Sequence, residues 1–336
     1  MSKRVAIVGA TGAVGTTMQS ILEERDFPVS ELRLMASARS AGRTMPTKWG
    51  DVVIEDLAAA DPAGIDVALF SAGAVRSREF APRFAAAGAV VVDNSSAFRM
   101  AQEVPLVVAQ VNDHAVAGHG GIVANPNCTT MVLMMAAAPL HRAAGLSHLV
   151  ATSYQSVSGS GHTGMTVLSD EIEVLAKDPE LLAQGGWSDP GSDLYSRPIG
   201  FNVLPHAGSF TEQGYTDEEW KLVNETRKIL EAPDVSIEPT CVRVPVMVGH
   251  GIAATMAFER PITLDEAKGI LAAAPGAQLW GDGKVPTPLD CVGIDDVLVG
   301  RVRSTLGEAG GISLWAVGDN LRKGAALNAV QIAELL

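Results

Sequence analysis

The sequence predicts an α/β protein of about two domains, with a parallel β-sheet in its first third. The chain has 336 residues, and a domain typically takes roughly 150 residues. In the first third, short apolar runs rich in β-branched residues alternate with stretches of helical periodicity. Near-continuous apolar strands that are joined by helices are typical of a parallel sheet covered on both faces.

The first domain is predicted to begin with a strand and to alternate strands and helices from there. Its strands are the apolar runs Val5–Val8, Leu32–Ala36, Val67–Phe70 and Ala89–Val92, and its helices are Thr16–Glu24 and Ser77–Ala87. Each helix would serve as a crossover between parallel strands, and such crossovers are right-handed.

The pattern changes near residue 128, where a mixed α/β domain is predicted to begin. Helical periodicity covers Met131–Ala144, Met165–Lys177, Asp217–Leu230, Leu264–Ala274 and Ala325–Leu336. Strand patterns cover Leu149–Gln155, Val235–Val246, Gly251–Glu259, Asp296–Arg303 and Gly311–Val317. Residues 156–164 and 183–212 are rich in Gly, Ser and Pro and are predicted to be loops.

The composition argues against several classes of protein. A hydrophobic fraction of 47% with 19% charged residues is too apolar for a disordered chain. The formal net charge of −13 gives no overall attraction for nucleic acid or an anionic membrane. The apolar run Met131–Leu140 is too short to cross a bilayer, and the N-terminus lacks a signal-peptide pattern. We therefore expect a cytoplasmic protein.

The cysteines and histidines give no indication of a structural disulfide or a metal. The three cysteines are odd in number and widely spaced, which does not fit a disulfide framework or a CxxC pair. No two of the seven histidines have HExxH-like spacing, so no metal site is predicted.

A glycine-rich turn, GATGAVG over Gly9–Gly15, connects the first strand to the first helix. Glycines there let the backbone approach a pyrophosphate, and the helix N-terminus offers N–H groups to it. The spacing is GxxGxxG and not the usual GxGxxG, so a purely structural turn is the alternative interpretation.

The residues after the second strand favour NADP over NAD. A carboxylate at this strand end would bind the ribose hydroxyls of NAD. Here the strand ends in SARSAG, Ser37–Gly42, where Arg39 and the flanking hydroxyls suit a 2′-phosphate. Alternatively, Arg39 and Arg43 are ordinary surface arginines. Ser71, in a second turn of small residues after Phe70, could border the same cofactor.

Cys128 is a candidate nucleophile because it precedes a helix directly. In the first helical turn, the positive end of the helix dipole favours thiolate over thiol. The preceding Asn127 can donate a hydrogen bond nearby. The alternative is a small buried cysteine, which is how we interpret Cys241 and Cys291. A nucleophilic cysteine needs a base, and position alone does not select His250 over His162.

These features together resemble the aspartate-β-semialdehyde dehydrogenase family over essentially the whole chain. The motifs are GATGAVG at Gly9–Gly15, SARSAG at Ser37–Gly42, DNSSAFR at Asp93–Arg99, NPNC at Asn125–Cys128, YQSVSGSG at Tyr154–Gly161, EEWK at Glu218–Lys221, RVPV at Arg243–Val246, GHG at Gly249–Gly251 and GDNLRKGAA at Gly318–Ala326. Their order and spacing together make the resemblance specific.

The resemblance implies an architecture and an oligomeric state. Residues 1–127 would form a Rossmann-like NADP-binding domain, and residues 128–318 an α+β catalytic and dimerisation domain. A C-terminal helix within residues 319–336 would return to the first domain. A large exposed sheet on the second domain of relatives implies a homodimer.

The resemblance also implies roles for individual residues. Cys128 would be the acyl-thioester nucleophile, His250 the acid–base catalyst, and Gln155 would orient the substrate. Arg243 would hold the substrate carboxylate and Glu218 its ammonium group. Phosphate would be bound by Arg99, Lys221 and Asn127. The residues implied at the NADP site, together with those from the turns above, are Gly9, Thr11, Gly12, Ala13, Val14, Ser37, Arg39, Ser40, Ser71, Ser158, Gly159 and Asn320.

The implied reaction interconverts L-aspartyl-4-phosphate and L-aspartate-4-semialdehyde, with NADPH and phosphate. It belongs to the biosynthesis of lysine and diaminopimelate, threonine, methionine and isoleucine. Two other interpretations stay open: an enzyme resembling N-acetyl-γ-glutamyl-phosphate reductase, and a non-catalytic NADP-binding regulator. The chain departs from the usual family pattern at Ser156 and Ser160, where Ala is more common, and at Thr129, where Ser is common.

Overall fold

The computed structural model describes residues 2–307 and 309–336 and confirms the α/β prediction. The described chain forms two compact units. The first unit comprises the chain up to Met134 together with Asn224–Pro233 and Leu321–Leu336, and the second comprises Met135–Val223 and Asp234–Asn320. The inclusion of residues 224–233 in the first unit is a feature that the sequence patterns did not indicate.

The first unit is built on a six-stranded sheet in which every strand pair is parallel. The strands of this unit are β1 (Lys3–Val8), β2 (Val29–Ala36), β3 (Thr44–Thr47), β4 (Gly50–Val53), β5 (Glu55–Asp56), β6 (Val67–Phe70), β7 (Val90–Asp93) and β8 (Ile122–Ala124). The sheet order is β5-β2-β1-β6-β7-β8, and β3 pairs with β4 in a separate antiparallel hairpin. The four predicted strands are confirmed, while the hairpin and the short edge strands were not predicted.

Three helices follow strands of this sheet. They are α1 (Ala13–Glu24), α2 (Ala74–Ala86) and α3 (Cys128–Ala144). Helix α1 buries Met18, Ile21 and Leu22 in a cluster that also contains Ile7 and Leu34 from the strands. The apolar faces of α1 and α2 thus cover the sheet, as the alternating pattern predicted.

In the described part of the chain, the second unit contains a six-stranded mixed sheet, the part of α3 from Met135 onward, and further helices. Its strands are β9 (Leu146–Gln155), β10 (Ser236–Arg243), β11 (His250–Phe258), β12 (Ala277–Leu279), β13 (Val297–Ser304) and β14 (Ile312–Gly318), in the order β10-β9-β11-β14-β13-β12. Its helices are α4 (Gly161–Leu175), α5 (Pro179–Gln184), α6 (Asp217–Ile229, which ends in the first unit), α7 (Leu264–Ala273) and α8 (Pro288–Cys291). Helix α4 begins four residues before the predicted Met165, and α5 begins before the predicted loop.

The C-terminal helix, α9 (Leu327–Glu334), belongs to the first unit, as the resemblance implied. A π-helical turn over Arg322–Ala326 precedes it. Val330 and Ile332 of α9 lie in the same buried cluster as the α1 and β1 side chains. No helix in the described parts of the chain is long and apolar enough to cross a membrane.

Gly9 fixes the close approach of two turns at the carboxyl edge of the first sheet. Its φ is +89°, a conformation that side chains disfavour. A Cβ added to Gly9 would lie 2.2 Å from the backbone oxygen of Ser71. The turns after β1 and β6 are therefore in contact through bare backbone, which only glycine permits.

We expect Gly9→Ala to destabilise the first unit by at least about 2 kcal/mol, because the new methyl group meets backbone in a strained conformation. Gly12→Ala is the matched control, since φ there is −81° and a Cβ would meet the Gly9 oxygen at an ordinary 3.4 Å. Urea denaturation without cofactor, followed by circular dichroism, measures both. Equal stability of the two variants would contradict this explanation.

Candidate active site

The ends of four strands meet at one edge of the second sheet and carry polar side chains. Gln155 ends β9 and lies in register with Arg243, which ends the parallel strand β10. His250 begins the antiparallel strand β11, opposite Gly318 at the end of β14. Asn320 follows Gly318 by two residues. The strand register therefore brings together four residues that lie far apart in the sequence.

His250 is completely buried, and its Nδ1 atom faces Ser156. The backbone N–H of Ser156 donates to Nδ1 at 3.1 Å, and the Ser156 hydroxyl lies 3.1 Å from the same atom. Burial, and then the charge of Arg243, lowers the pKa of His250 to about 3. The ring is therefore neutral at neutral pH in this structure, and its acid–base role stays a prediction.

Ser158 and Asn320 form a buried network with Ser156. The Asn320 Oδ1 atom accepts from the Gly249 N–H at 2.9 Å, and its Nδ2 atom donates to the Ser158 hydroxyl at 2.9 Å. The hydroxyls of Ser156 and Ser158 are 3.1 Å apart. Both Ser158 and Asn320 are 2% exposed, so their hydrogen bonds within the protein shape the loop before α4 and the turn before His250.

Gly159 lets its loop lie directly against Arg243 and His250. A Cβ at this position would lie 2.9 Å from Arg243 Nη1 and 3.5 Å from His250 Nε2. The backbone of the glycine loop thus covers both side chains. This contact is made within the second unit, and the prediction that Gly159 and Ser158 bind the cofactor stays a prediction.

Arg243 is nine-tenths buried without a carboxylate partner among the described residues. Its one side-chain hydrogen bond runs from Nη1 to the backbone oxygen of Ser156, at 2.9 Å. A buried guanidinium that lacks a counter-charge is costly unless an anion completes it. Its planar donors match a carboxylate.

Beside Arg243, the first turns of α6 supply a carboxylate and an ammonium group. Glu218 Oε1 lies 3.5 Å from Gln155 Nε2, and its Oε2 accepts from Lys221 Nζ at 3.1 Å. Lys221 also donates to Asp217 at 2.6 Å. Burial opposes the charge on Lys221, but Glu218 and Asp217 outweigh it and raise the pKa of Lys221. The ammonium group therefore stays charged.

In the first unit, Asn127 and Cys128 begin α3. The Asn127 side chain accepts from the Thr129 N–H at 2.9 Å and so caps the helix. Cys128 is a half-buried cysteine outside any disulfide, and it is the first residue of this 17-residue helix. The helix begins three residues before the predicted Met131, and Cys128 lies at the positive end of the helix dipole.

Arg99 is buried in the same unit, and three of its N–H groups have partners. They donate to the backbone oxygens of Asn125 and Asn94 and to Glu225 Oε1, at 2.9, 2.7 and 3.0 Å. Glu225, which is 1% exposed, also accepts from the Asn127 N–H at 2.6 Å. Since a guanidinium has five N–H groups, two are left for a ligand.

The predicted nucleotide residues lie at the carboxyl edge of the first sheet. Gly9 and Ser71 are in contact there, and Thr11, Gly12, Ala13 and Val14 continue from the turn into α1. Ser37, Arg39 and Ser40 form a turn directly after β2, in which the Ser40 N–H donates to Ser37. Arg39 is exposed, and no residue in the described ranges accepts a hydrogen bond from its side chain.

Three other residues were considered from the sequence: His162, Cys241 and Cys291. His162 is exposed in the first turn of α4. Cys241 and Cys291 are fully buried, and burial raises the pKa of each thiol to about 12. In the described ranges no group of three or more His, Cys, Asp or Glu residues is arranged to hold a metal.

The first unit has a parallel sheet with a glycine turn, and the second is a mixed α/β unit with a cluster of polar side chains at its strand ends. Together these features define an oxidoreductase of the nicotinamide-dependent dehydrogenase class. Two family models match the chain: "Semialdehyde dehydrogenase, NAD binding domain" over residues 4–119, and "Semialdehyde dehydrogenase, dimerisation domain" over residues 137–323.

Similarity to curated proteins identifies the family within this class of dehydrogenases. Aspartate-semialdehyde dehydrogenases of Streptomyces akiyoshiensis and Mycolicibacterium smegmatis are 52% and 48% identical, each over 99% of this chain and 98% of its own length. The crystal structure of aspartate semialdehyde dehydrogenase II from Vibrio cholerae matches with a TM-score of 0.94 and 43% identity, over 100% of this chain and 98% of that one. The chain belongs to the aspartate-semialdehyde dehydrogenase family.

Two residues that shape the site were not selected from the sequence. Glu225 joins Arg99 to the turn before Cys128, and Ser156 contacts His250. The carboxylate of Glu225 looked like one more charge on an amphipathic helix, and only its helical spacing of seven from Glu218 hinted at a buried position. Ser156 was noted as a departure from the family, but its hydroxyl contacts depend on strand register that no local pattern shows.

We expect Glu225→Gln to lower the free energy of unfolding by about 3 kcal/mol, because it leaves the buried Arg99 without its counter-charge. Glu219 provides a matched control on the same helix. It is also buried, but it accepts only from the backbone N–H groups of Thr216 and Cys241, so Glu219→Gln should cost about 1 kcal/mol. Urea denaturation compares them, and an equal loss would show that the ion pair is not the decisive interaction.

Proposed function

We propose that this chain is an NADP-dependent phosphorylating aspartate-semialdehyde dehydrogenase. It would interconvert L-aspartyl-4-phosphate plus NADPH with L-aspartate-4-semialdehyde, phosphate and NADP. The observation that carries the proposal is the buried Arg243, which has no carboxylate partner among the described residues and lies next to Gln155 and Glu218. An amino acid offers a carboxylate for Arg243 and an ammonium group for Glu218. A structure of the 43% identical Vibrio cholerae enzyme is titled as a complex with ASA, which supports this substrate class.

The proposed chemistry depends on a thiolate at Cys128. The thiolate attacks the acyl carbon, the bond to phosphate breaks, and a thioester with Cys128 forms. Sulfur suits this role because it is a strong nucleophile and a good leaving group. Arg99, Lys221 and Asn127 are proposed to hold the phosphate, and one proton taken up in the reaction ends on it. His250 is proposed to act on the reacting oxygen, where the resemblance assigns it an acid–base role.

The first unit fits a nicotinamide dinucleotide at the edge where Gly9 meets Ser71. When bound, this cofactor supplies the hydride that reduces the thioester. We propose NADP and not NAD, because the exposed Arg39 has no partner in the described ranges and is free to bind a 2′-phosphate. No carboxylate lies in the Ser37–Gly42 turn to bind ribose hydroxyls instead.

We also propose a homodimer that is formed through the open face of the second sheet. Val150, Tyr154, Ala253 and Thr255 are exposed on neighbouring strands, although a sheet face is usually covered. The family model that matches this region is described as a dimerisation domain. A biosynthetic, cytoplasmic role in the formation of lysine, diaminopimelate, threonine, methionine and isoleucine follows from the proposed reaction.

Cys128→Ala is expected to lower turnover by about 10⁴-fold or more, because the thioester can no longer form. Binding of NADPH, measured by its fluorescence, should be retained. Turnover is measured as semialdehyde-dependent, phosphate-stimulated NADPH formation. Cys291→Ala, which removes a buried thiol outside the proposed chemistry, is the control and should stay active. Dehydrogenase activity in Cys128→Ala would refute the mechanism.

Two further measurements test the same proposal. Mass spectrometry of enzyme quenched with substrate should place the acyl group on the peptide that contains Cys128. N-acetyl-γ-glutamyl phosphate should be a poor substrate, because its acylated amine cannot pair with Glu218. A preference for that compound would instead favour a reductase of the acetylated substrate.

Arg39→Ser is expected to raise the KM for NADP by about 10- to 100-fold, since charged hydrogen bonds to the 2′-phosphate are lost. The KM for NAD should change little. Arg43→Ser alters a second exposed arginine four residues later and is the matched control. If both variants behave alike toward NADP, Arg39 does not select the cofactor.

A further inference from the structure

A buried asparagine of the C-terminal helix connects separate segments of the first unit. Asn328 in α9 is completely buried, and its Oδ1 atom accepts from the Ala109 N–H at 2.9 Å. Its Nδ2 atom donates to the Val107 oxygen at 2.9 Å and to Asn125 Oδ1 at 2.6 Å. A backbone N–H can only donate and a backbone oxygen can only accept, so the loop fixes the orientation of this amide independently of Asn125.

A π-helical turn over Arg322–Ala326 supplies a fourth partner for this amide. The Ala326 N–H donates to the Leu321 oxygen, five residues back, at 2.9 Å. In a regular α-helix, Lys323 and Asn328 would lie about 140° apart around the axis. Here Lys323, which is also fully buried, brings Nζ to 3.4 Å from Asn328 Oδ1. All four hydrogen-bonding positions of the Asn328 amide are therefore used, and a fully satisfied buried amide is held rigidly.

The amide of Asn125 is oriented by that of Asn328. Its Oδ1 atom faces the Asn328 donor, so its Nδ2 atom donates to the Ala325 oxygen at 3.2 Å and to Asn94 Oδ1. Asn94 Nδ2 in turn donates to the Phe70 oxygen at 3.2 Å. The side chains of Asn328, Asn125 and Asn94 thus form one amide network, and each of them has a backbone partner that fixes which end donates.

Arg99 is held by the same asparagines that form the amide network. Its Nε atom donates to the Asn125 backbone oxygen at 2.9 Å, and its Nη2 atom donates to the Asn94 backbone oxygen at 2.7 Å. Glu225 is its third partner. A shift of either asparagine would therefore turn the guanidinium, and with it the N–H groups that are left for a ligand.

We propose that Asn328 is a positioning residue for the phosphate site: through Asn125 it fixes the backbone oxygens that aim the remaining N–H groups of Arg99 at phosphate. The inference rests on the proposed function for the identity of the anion. Because Asn328 is completely buried, it acts through its neighbours, and α9 thereby takes part in substrate binding.

Asn328→Ala tests this role in the steady-state kinetics of semialdehyde oxidation. We expect the KM for phosphate to rise about fivefold or more, because a hydrogen bond that sets the position of Arg99 is lost. The kcat at saturating phosphate and the KM values for semialdehyde and NADP should stay within about twofold of the wild-type values. An unchanged KM for phosphate, or an equal change in all of these constants, would overturn the proposal.

Asn112→Ala is the matched control, because Asn112 holds the same loop in the same way. It is buried, its Oδ1 atom accepts from the Val108 N–H at 2.8 Å, and its Nδ2 atom donates to the Leu106 oxygen at 2.9 Å. It forms no hydrogen bond with Asn125 in the ranges that the structure describes. Both variants should unfold at lower urea concentration, but only Asn328→Ala should alter the KM for phosphate. An equal rise in both would show that Asn328 is only a loop anchor.

Asn328→Asp avoids a cavity if the alanine variant does not fold. It keeps an acceptor for the Ala109 N–H and replaces the donor to Asn125 with an oxygen. The neighbouring ammonium group of Lys323 favours the ionised carboxylate. We expect the KM for phosphate to rise at least as much as in Asn328→Ala, and a wild-type value would refute the role of this hydrogen bond.

A double-mutant cycle tests whether Asn328 acts through Arg99. Arg99→Lys keeps a positive charge for Glu225 but lacks the planar donors that hold two backbone oxygens. In that background, Asn328→Ala should change the KM for phosphate by less than about twofold. A full additional rise would show another route and overturn the proposal.

The wild-type assay separates this inference from the proposed function. Turnover that does not depend on phosphate would refute the proposed function itself. Phosphate-dependent turnover, with the same KM for phosphate in Asn328→Ala and Asn112→Ala, would overturn the positioning role alone.

Discussion

The buried guanidinium of Arg243, which has no carboxylate partner in the described part of the chain, is the constraint on which the second unit's site depends. Arg243 is in place because β10 runs parallel to β9 and ends level with it. Its only side-chain partner among the described residues is a backbone oxygen, so much of its charge is unscreened by protein. That charge disfavours a protonated His250 and favours a bound carboxylate. One strand end therefore influences both the proton on the histidine and the class of ligand.

The two buried arginines show how the same side chain is used in different ways. Arg99 has Glu225 as a fixed partner and two backbone oxygens besides, so its position is determined before any ligand binds. Arg243 has no such partner and would be completed by a ligand. Replacing Glu225, the partner of Arg99, is expected to lower the stability of the protein. Replacing Arg243 is expected to weaken mainly the binding of the ligand. This distinction could not be made from the two arginines in the sequence.

The sequence predicted those elements whose signal is local. The strands β1, β2, β6 and β7 are apolar runs, and α3 has the helical periodicity of an apolar helix, although its first three residues and its Asn127 cap were not predicted. The hairpin β3–β4 was missed because TMPT contains a proline and shows no apolar alternation. The start of α4 was missed because Gly161 and Gly164 in its first turn are typical of a loop. In each case tertiary packing overrode a weak local preference.

Like the fold, the candidate site was predictable from the sequence only where its signal is local. The helix start selected Cys128, whereas Arg243 and His250 were selected only through the family resemblance, and the roles of all three stay predictions. The contacts that set their chemistry were not predictable, since they join β9, β11 and the segment after β14 through strand register. Ser156 illustrates this limit: in the sequence it is one residue of a glycine loop, and in the structure its N–H donates to Nδ1 of His250.

The acidity of the chain makes the local arrangement of its cations informative. With a net charge of −13, the protein as a whole repels anions. Anion binding must then come from cations that are desolvated and held by neighbours, where their fields are strong. Lys221, held between Glu218 and Asp217, retains its charge but has it largely balanced. Arg243 alone of these site cations lacks a carboxylate within the described residues, so the proposed substrate carboxylate would meet the strongest unbalanced positive charge beside a neutral His250.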